Sequence, residues 1–178
     1  MDIDINIKDI EPYWQKVWED EKLFIPAEDS NCPKYFNFDS APFPNGNLHL
    51  GHVRNYVLGD IIARYKRLGG YNVLYTTNFD AFGLPNQLEA EKQSKNPEEY
   101  TKECISLIKN DLKRLGISYD WSRVNLTCDP KYYKWTQWLF LELYSAGLVY
   151  RKRTHVNWCD KCKSVLANME VDSGRCNR

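Results

Sequence analysis

The chain has 178 residues, room for one ordinary domain and a small appendage, and with 43% hydrophobic and 14% aromatic residues it is not a disordered polypeptide. Twenty-four Lys and Arg balance 24 Asp and Glu, so the formal net charge is zero and any contact with nucleic acid must be local rather than driven by bulk charge. No run of about 18 apolar residues is present, and the start is acidic and polar, which argues against a membrane span and a secretory signal.

From Glu11 to Phe24 apolar and polar residues alternate at helical spacing, with Trp14, Val17 and Trp18 on one face, which predicts an amphipathic leader helix. Lys34 to Ser40 carries Tyr35, Phe36 and Phe38 and then meets Pro42 and Pro44, the pattern of a short buried strand and a loop over 41–48. From His49 onward Leu50, Val53, Val57, Ile61 and Ile62 repeat on one helical face, and Gly69-Gly70 ends the helix. Tyr71 to Tyr75 reads as a second strand, followed by a loop over 78–85. Pro97 opens a helix reaching about Leu115, with Gly116 as its cap, and Ile117 to Trp121 is expected as a third strand. Asp129 and Pro130 form an N-cap and first-turn pair for a helix through Trp135, Trp138, Leu139 and Leu143 that closes near Gly147. Leu148 to Trp158 is expected to be extended. This rhythm is that of an α/β fold, a parallel sheet with crossover helices, whose ligands sit beyond the carboxyl ends of the strands. Both punctuated loops fall there.

The densest chemistry lies between Pro42 and His52. His49 and His52 stand at the first turn of a helix, where backbone N–H groups are unpaired and the dipole favours anions. Gly51 between them lets a flat ring lie against the helix backbone, and Gly46 lets the loop turn close to phosphates. Such a mouth suits a triphosphate on which charge develops. An isolated H-x-x-H is more often a capped helix with two surface histidines, and as a metal pair it lacks a third ligand nearby. Asp80 is a carboxylate on the neighbouring loop, suited to a substrate ammonium or, alternatively, to capping Gly83.

The run from Ala41 through Pro42-Phe43-Pro44-Asn45-Gly46-Asn47-Leu48-His49-Leu50-Gly51-His52 to Tyr56 closely resembles the first signature of class I aminoacyl-tRNA synthetases. Asp80-Ala81-Phe82-Gly83-Leu84-Pro85, Tyr119-Asp120-Trp121-Ser122-Arg123, Val156-Asn157-Trp158-Cys159, Val165-Leu166-Ala167-Asn168 and Gly174-Arg175-Cys176 are similar, in order, to bacterial-type leucyl enzymes. The resemblance runs from about Pro12 to the end of the chain. It implies a Rossmann-like parallel sheet, the first half of a class I catalytic domain, with a small C-terminal zinc knuckle. The implied divisions are a helical leader over 1–33, the half-domain over 34–150 and the knuckle over 151–178.

The resemblance also implies roles. His49 and His52 would stabilise the α-phosphate of ATP, bound with Mg2+, while an amino-acid carboxylate displaces pyrophosphate. Gly51 would accept the adenine, and Phe43, Pro44, Asn45 and Gly46 would line the nucleotide. Asp80 would hold the amino-acid ammonium, with Ser40, Ala41 and Phe43 around its side chain. Leucine is the implied amino acid and tRNA the implied partner. Ser40-Ala41 stand where the family usually has Met-Phe, Phe43 where it has Tyr, Asn78-Phe79 where it has Gly-Trp and Gln87 where it has Glu. Lost apolar volume changes discrimination in steps of ~1–3 kcal/mol, so a relaxed or altered amino-acid choice is expected.

Cys159, Cys162 and Cys176 supply soft ligands at zinc-knuckle spacing, with a redox C-x-x-C as the competing reading and His155 as a poor fourth ligand. A cytoplasmic or equally reducing compartment is expected from such cysteines. Cys32, Cys104 and Cys128 are expected in core or half-buried places. Residues 151–178 hold seven basic and three acidic side chains, a solvated face or an RNA acceptor-end contact. The second jaw of a class I site, a Lys-Met-Ser-Lys-Ser-like loop, does not occur in the sequence. The chain is therefore expected to be the N-terminal portion of a leucyl-type ligase, either a fragment or a split-gene product with a partner chain carrying the second half, and incomplete without that half. A stand-alone nucleotide- or RNA-binding module, or an enzyme loading something other than tRNA, are the alternatives.

Overall fold

The structure, a computed structural model, describes residues 6–177, which fall into two compact units divided between Trp135 and Thr136. In the first unit, α1 (Ile7–Asp20) starts at Asn6, whose side chain accepts from the Lys8 amide at 3.2 Å. The leader helix thus begins four residues before the predicted start, with Pro12 inside it. It stops before Phe24 because Lys22 turns left-handed (φ 53°) and the Leu23 amide closes on the Trp18 carbonyl at 3.0 Å. Gln15 donates to the Arg114 carbonyl (3.0 Å) and Lys113 pairs with Glu19 (2.7 Å), so the leader lies on α4 (Pro97–Arg114).

β1 (Lys34–Phe38) and β2 (Asn72–Thr76) pair in parallel, in register Lys34↔Asn72 to Phe38↔Thr76. The crossover is α2 (Leu50–Leu68), closed at Gly70 (φ 82°) by the Tyr71 amide on the Lys66 carbonyl. The core joins Tyr56 and Ala63 of α2, Val73 and Tyr75 of β2, Phe79, Ile108 and Leu112 of α4, then Ile117 and Tyr119. Burying residues such as Ile108 and Leu112 contributes about 1.5–3 kcal/mol each.

Two expectations about burial fail. β1 is not a buried strand: Phe36 and Phe38 stack on each other, 6.1 Å apart, and are 62% and 49% exposed. Nor does the apolar stripe of α2 form its core face. Leu50, Ile61 and Ile62 are exposed, while Tyr56, Gly59, Asp60 and Ala63 are buried. Tyr56 apart, the inner face is small or polar because it packs closely and is fully bonded: Asn37 donates to the Gly59 carbonyl (2.8 Å), and Asp60 accepts from the Ser118 amide (2.7 Å) and Arg64 (2.7 Å).

After β2 come β3 (Asn78–Phe79) and α3 (Leu84–Lys92), the latter in a stretch where no helix was expected. α4 runs over the predicted range, with Asn96 accepting from the Glu98 amide at 2.8 Å, acids in its first turn and bases in its last. The expected strand over 117–121 is not one. Residues 117–120 are buried, but only the Asp120 amide reaches the Tyr75 carbonyl (2.7 Å), and Trp121 already belongs to a 3-10 turn, Trp121–Arg123. The parallel partner of β3 is instead β4 (Asn125–Leu126). α5 (Pro130–Ser145) starts where predicted, with Asp129 accepting from the Lys131 amide at 2.8 Å.

In the second unit, β5 (Asn157–Cys159) pairs antiparallel with β6 (Ser164–Leu166), and β7 (Val171–Asp172) with β8 (Arg175–Cys176). Residues 148–156 form no ladder among the described residues. Cys104 is buried and Cys128 half-buried, as expected, whereas Cys32 is exposed. No helix among the described residues is long and apolar enough to cross a membrane.

Candidate functional site

β1 delivers the chain into the Pro42–Leu48 loop at its carboxyl end, and α2 carries it away. Asp39, the first residue past the strand, is buried and its Oδ2 accepts from the Tyr75 and Tyr119 hydroxyls, the latter at 2.7 Å. Ser40 accepts from Asn55 of α2 at 2.9 Å. Pro42 and Pro44 are buried, Ala41 and Phe43 half-buried, and Asn45 exposed; Gly46 turns with φ 94°.

His49 is the N-cap of α2, in extended conformation. Its backbone N–H donates to His52 Nδ1 at 3.3 Å, and the two imidazoles stack with centroids 3.8 Å apart. Gly51 makes the stack possible, because a Cβ there would stand 3.0 Å from the His49 ring. The His52 ring runs parallel to Tyr56 at 6.1 Å. Partial burial, reinforced by His49, holds the His52 pKa below the ordinary histidine value, which favours the neutral ring. With Nδ1 accepting, the proton of the neutral ring sits on Nε2, where it can donate to an anion.

The Asp80 loop abuts the histidine loop. The Asp80 N–H donates to the Pro42 carbonyl at 3.1 Å and the Ala81 N–H to Thr127 Oγ1 at 2.8 Å. Gly83, the N-cap of α3, lies close to Phe43: a Cβ there would stand 3.7 Å from the ring. No side chain caps α3, and the Asp80 carboxylate is exposed. Two further contacts that sequence reading missed hold the loop. Asn86 Nδ2 donates to the Pro44 carbonyl (3.0 Å) and the Tyr100 hydroxyl to Asn45 Oδ1 (3.1 Å). Nothing in the local pattern signals them, because the partners are 42 and 55 residues apart.

The Sγ atoms of Cys159, Cys162 and Cys176 lie within 4.8 Å of one another. The Cys162 N–H donates to Cys159 Sγ (3.4 Å), which lowers the Cys159 thiol pKa, while the neighbouring sulfurs push Cys162 up to about 11. Cys162 Sγ and Cys176 Sγ are 3.8 Å apart, the edge of a tetrahedron with Zn–S bonds of about 2.3 Å. The donor set therefore fits three of four zinc ligands, and His155 is not in the cluster. Two cavities, of about 630 and 480 Å3, lie elsewhere; Trp18, Lys113 and Trp121 line the first, Arg64, Arg67 and Tyr71 the second.

Residues 13–176 match the model of the family described as tRNA synthetases class I (I, L, M and V). The chain is 54% identical over 171 residues to the leucine--tRNA ligase of Thermotoga petrophila, covering 96% of this chain and 21% of that protein. It is 50% identical over 174 residues to that of Petrotoga mobilis, covering 97% and 21%. The chain spans about a fifth of the length of the curated relatives it matches. A crystal structure of the Agrobacterium radiobacter K84 LeuRS in a ternary complex with tRNA and LeuAMS superposes with a TM-score of 0.85 and 37% identity, over 94% of this chain and 22% of that one. A family-wide match over nearly the whole chain, joined to a shared catalytic-domain fold, places this protein among the class I tRNA synthetases of the isoleucine, leucine, methionine and valine group.

Proposed function

We propose that the chain contributes the nucleotide- and amino-acid-holding portion of a leucine--tRNA ligase. The observation that carries this reading is the bond between the Asp80 amide and the Pro42 carbonyl, which joins the acidic loop to the histidine loop. An ammonium held by Asp80 and a phosphate held at the α2 mouth then belong to one substrate pair. In the reaction a carboxylate oxygen of the amino acid bonds to the α-phosphorus of ATP, and the bond to the β-phosphate oxygen breaks to release pyrophosphate. His49 and His52 serve as donors to the α-phosphate, His52 through Nε2–H. Gly51 leaves room for the adenine, and Phe43, Pro44, Asn45 and Gly46 border the phosphates. Asp80 pairs with the ammonium, and Ser40, Ala41 and Phe43 border the amino-acid side chain. Mg2+ accompanies the ATP and tRNA accepts the product; Cys159, Cys162 and Cys176 would hold a zinc ion that links the β5–β6 and β7–β8 pairs within the second unit, and a cytoplasmic location belongs to the same reading. The leader 1–33, half-domain 34–150 and knuckle 151–178 are its functional divisions.

Exposed Phe36 and Phe38 on the sheet, with Leu58, Ile61 and Ile62 on α2, support a site completed by further polypeptide. The names of the relatives favour leucine and tRNA. The test is amino-acid-dependent ATP–pyrophosphate exchange by the chain mixed with a polypeptide carrying the remaining length of a relative. Exchange that appears on mixing and is lost in His52→Ala is expected; no exchange in the mixture overturns the reading.

A further inference from the structure

The Pro42–Gly46 loop has little to hold itself in place, its own backbone bond being Asn45 N–H to the Phe43 carbonyl at 2.8 Å. It is held from outside by buried donors on α3 and α4. Asn86 is 3% exposed and shares its amide hydrogens between the Pro44 carbonyl (3.0 Å) and Thr101 Oγ1 (3.2 Å). Tyr100, 5% exposed, donates to Asn45 Oδ1 at 3.1 Å and packs with Ala90 and Cys104, which fixes α3 against α4. The Asn86 Oδ1 atom is buried with no hydrogen-bond partner. A buried acceptor left unmade is unfavourable, and the side chain keeps that arrangement because turning the amide over would set Oδ1 against the Pro44 carbonyl.

We propose that Asn86 and Tyr100 are positioning residues, a two-point clamp through which the α3–α4 pair presets the Pro44-Asn45 backbone for nucleotide. This rests on the reading that the loop and the α2 mouth take ATP. A preset loop spares the nucleotide the ordering of that segment, so the clamp acts on affinity through pre-organisation. Burial pushes the Tyr100 phenol up to about 12, so it remains a donor across the working pH range.

The test uses the full chain, with Tyr100→Phe, which keeps the ring and removes the donor, and Asn86→Ala, both compared at a temperature where they are fully folded by circular dichroism. Hydrogen–deuterium exchange reads the loop and equilibrium dialysis with Mg-ATP reads affinity. Exchange over 42–48 is expected to rise about tenfold in either variant, the scale of one lost hydrogen bond, with 72–79 unchanged. The ATP dissociation constant is expected to weaken about fivefold or more. Unchanged exchange over 42–48 in both variants overturns the clamp while leaving wild-type ATP binding intact. A wild-type chain that binds no ATP, although the variants loosen the loop, overturns instead the nucleotide reading and with it the positioning role.

Discussion

Gly59 of α2 sits so close to Asp39 that a Cβ built on it would stand 2.2 Å from Asp39 Oδ1 and 2.6 Å from the Tyr75 hydroxyl. This approach brings the crossover helix down onto the end of β1, where the histidine loop begins. Asp39 and Tyr75 are buried and bonded to each other, so neither can swing aside. Gly59→Ala should therefore destabilise the chain by about 1–3 kcal/mol, despite alanine's better helix propensity. Urea unfolding checks it; a variant as stable as the parent would show that α2 is free to shift.

Tyr75 and Tyr119 place both phenols on one oxygen of Asp39, and burial drives the pKa of each far above the ordinary tyrosine range, so both stay protonated donors. Tyr119→Phe removes one donor while keeping the ring that packs on Tyr75 at 4.5 Å. A loss of about 1–3 kcal/mol is expected in chemical denaturation, from a buried acceptor deprived of one partner. A loss within error would mean that solvent already serves that oxygen.

His52 titrates below the usual histidine value because of partial burial and the neighbouring His49. The folded chain therefore takes up the His52 proton less readily than the unfolded one. Its contribution to stability is present above the unfolded pKa and is lost as pH falls through that value toward the folded one. Protonation also removes Nδ1 as acceptor for the His49 amide, so the first turn of α2 should loosen over the same interval. An NMR titration should give His52 a lower midpoint than a model histidine, moving up toward it in His49→Ala; equal midpoints in the parent and in that variant would remove His49 as a cause.

The histidine loop was legible because Pro, Gly and His are residues whose backbone and chemistry are specific to position, and helix ends were legible at Gly70, Gly116 and Asp129 for the same reason. The burial of α2 was not. Hydrophobic periodicity points to Leu50, Ile61 and Ile62, yet the face against the sheet is Gly59, Asp60 and Ala63, chosen for close approach and bonding. α3 went unseen because Pro85, Asn86 and Gln87 open it like a loop and only Leu88 and Ala90 hint at an inner face. Ile117 to Asp120 has strand composition and burial but lacks a ladder, which composition cannot reveal. The Asn86 and Tyr100 contacts depend on tertiary proximity alone.

Ser40, Ala41 and Phe43 border the proposed amino-acid side chain, and Ser40 is committed to Asn55 at 2.9 Å. A smaller apolar wall discriminates less between aliphatic side chains, by ~1–3 kcal/mol per changed contact. In the reconstituted exchange assay, leucine should lead isoleucine, methionine and valine by a narrower margin than in the Thermotoga petrophila relative. Leucine far ahead of all three would show that these positions do not set the choice.

The three cysteine sulfurs differ from a closed structural zinc site in number, since among the described residues no fourth ligand joins them. A closed four-ligand site contributes about 10–16 kcal/mol, so each thiolate is worth roughly a quarter of that, and Cys176→Ser should weaken Co2+ or Zn2+ binding by about two orders of magnitude or more. His155→Ala should leave affinity unchanged, because that imidazole is outside the cluster. Metal affinity equal in Cys176→Ser and parent would remove Cys176 from the ligand set and return Cys159 and Cys162 to the thiol–disulfide reading.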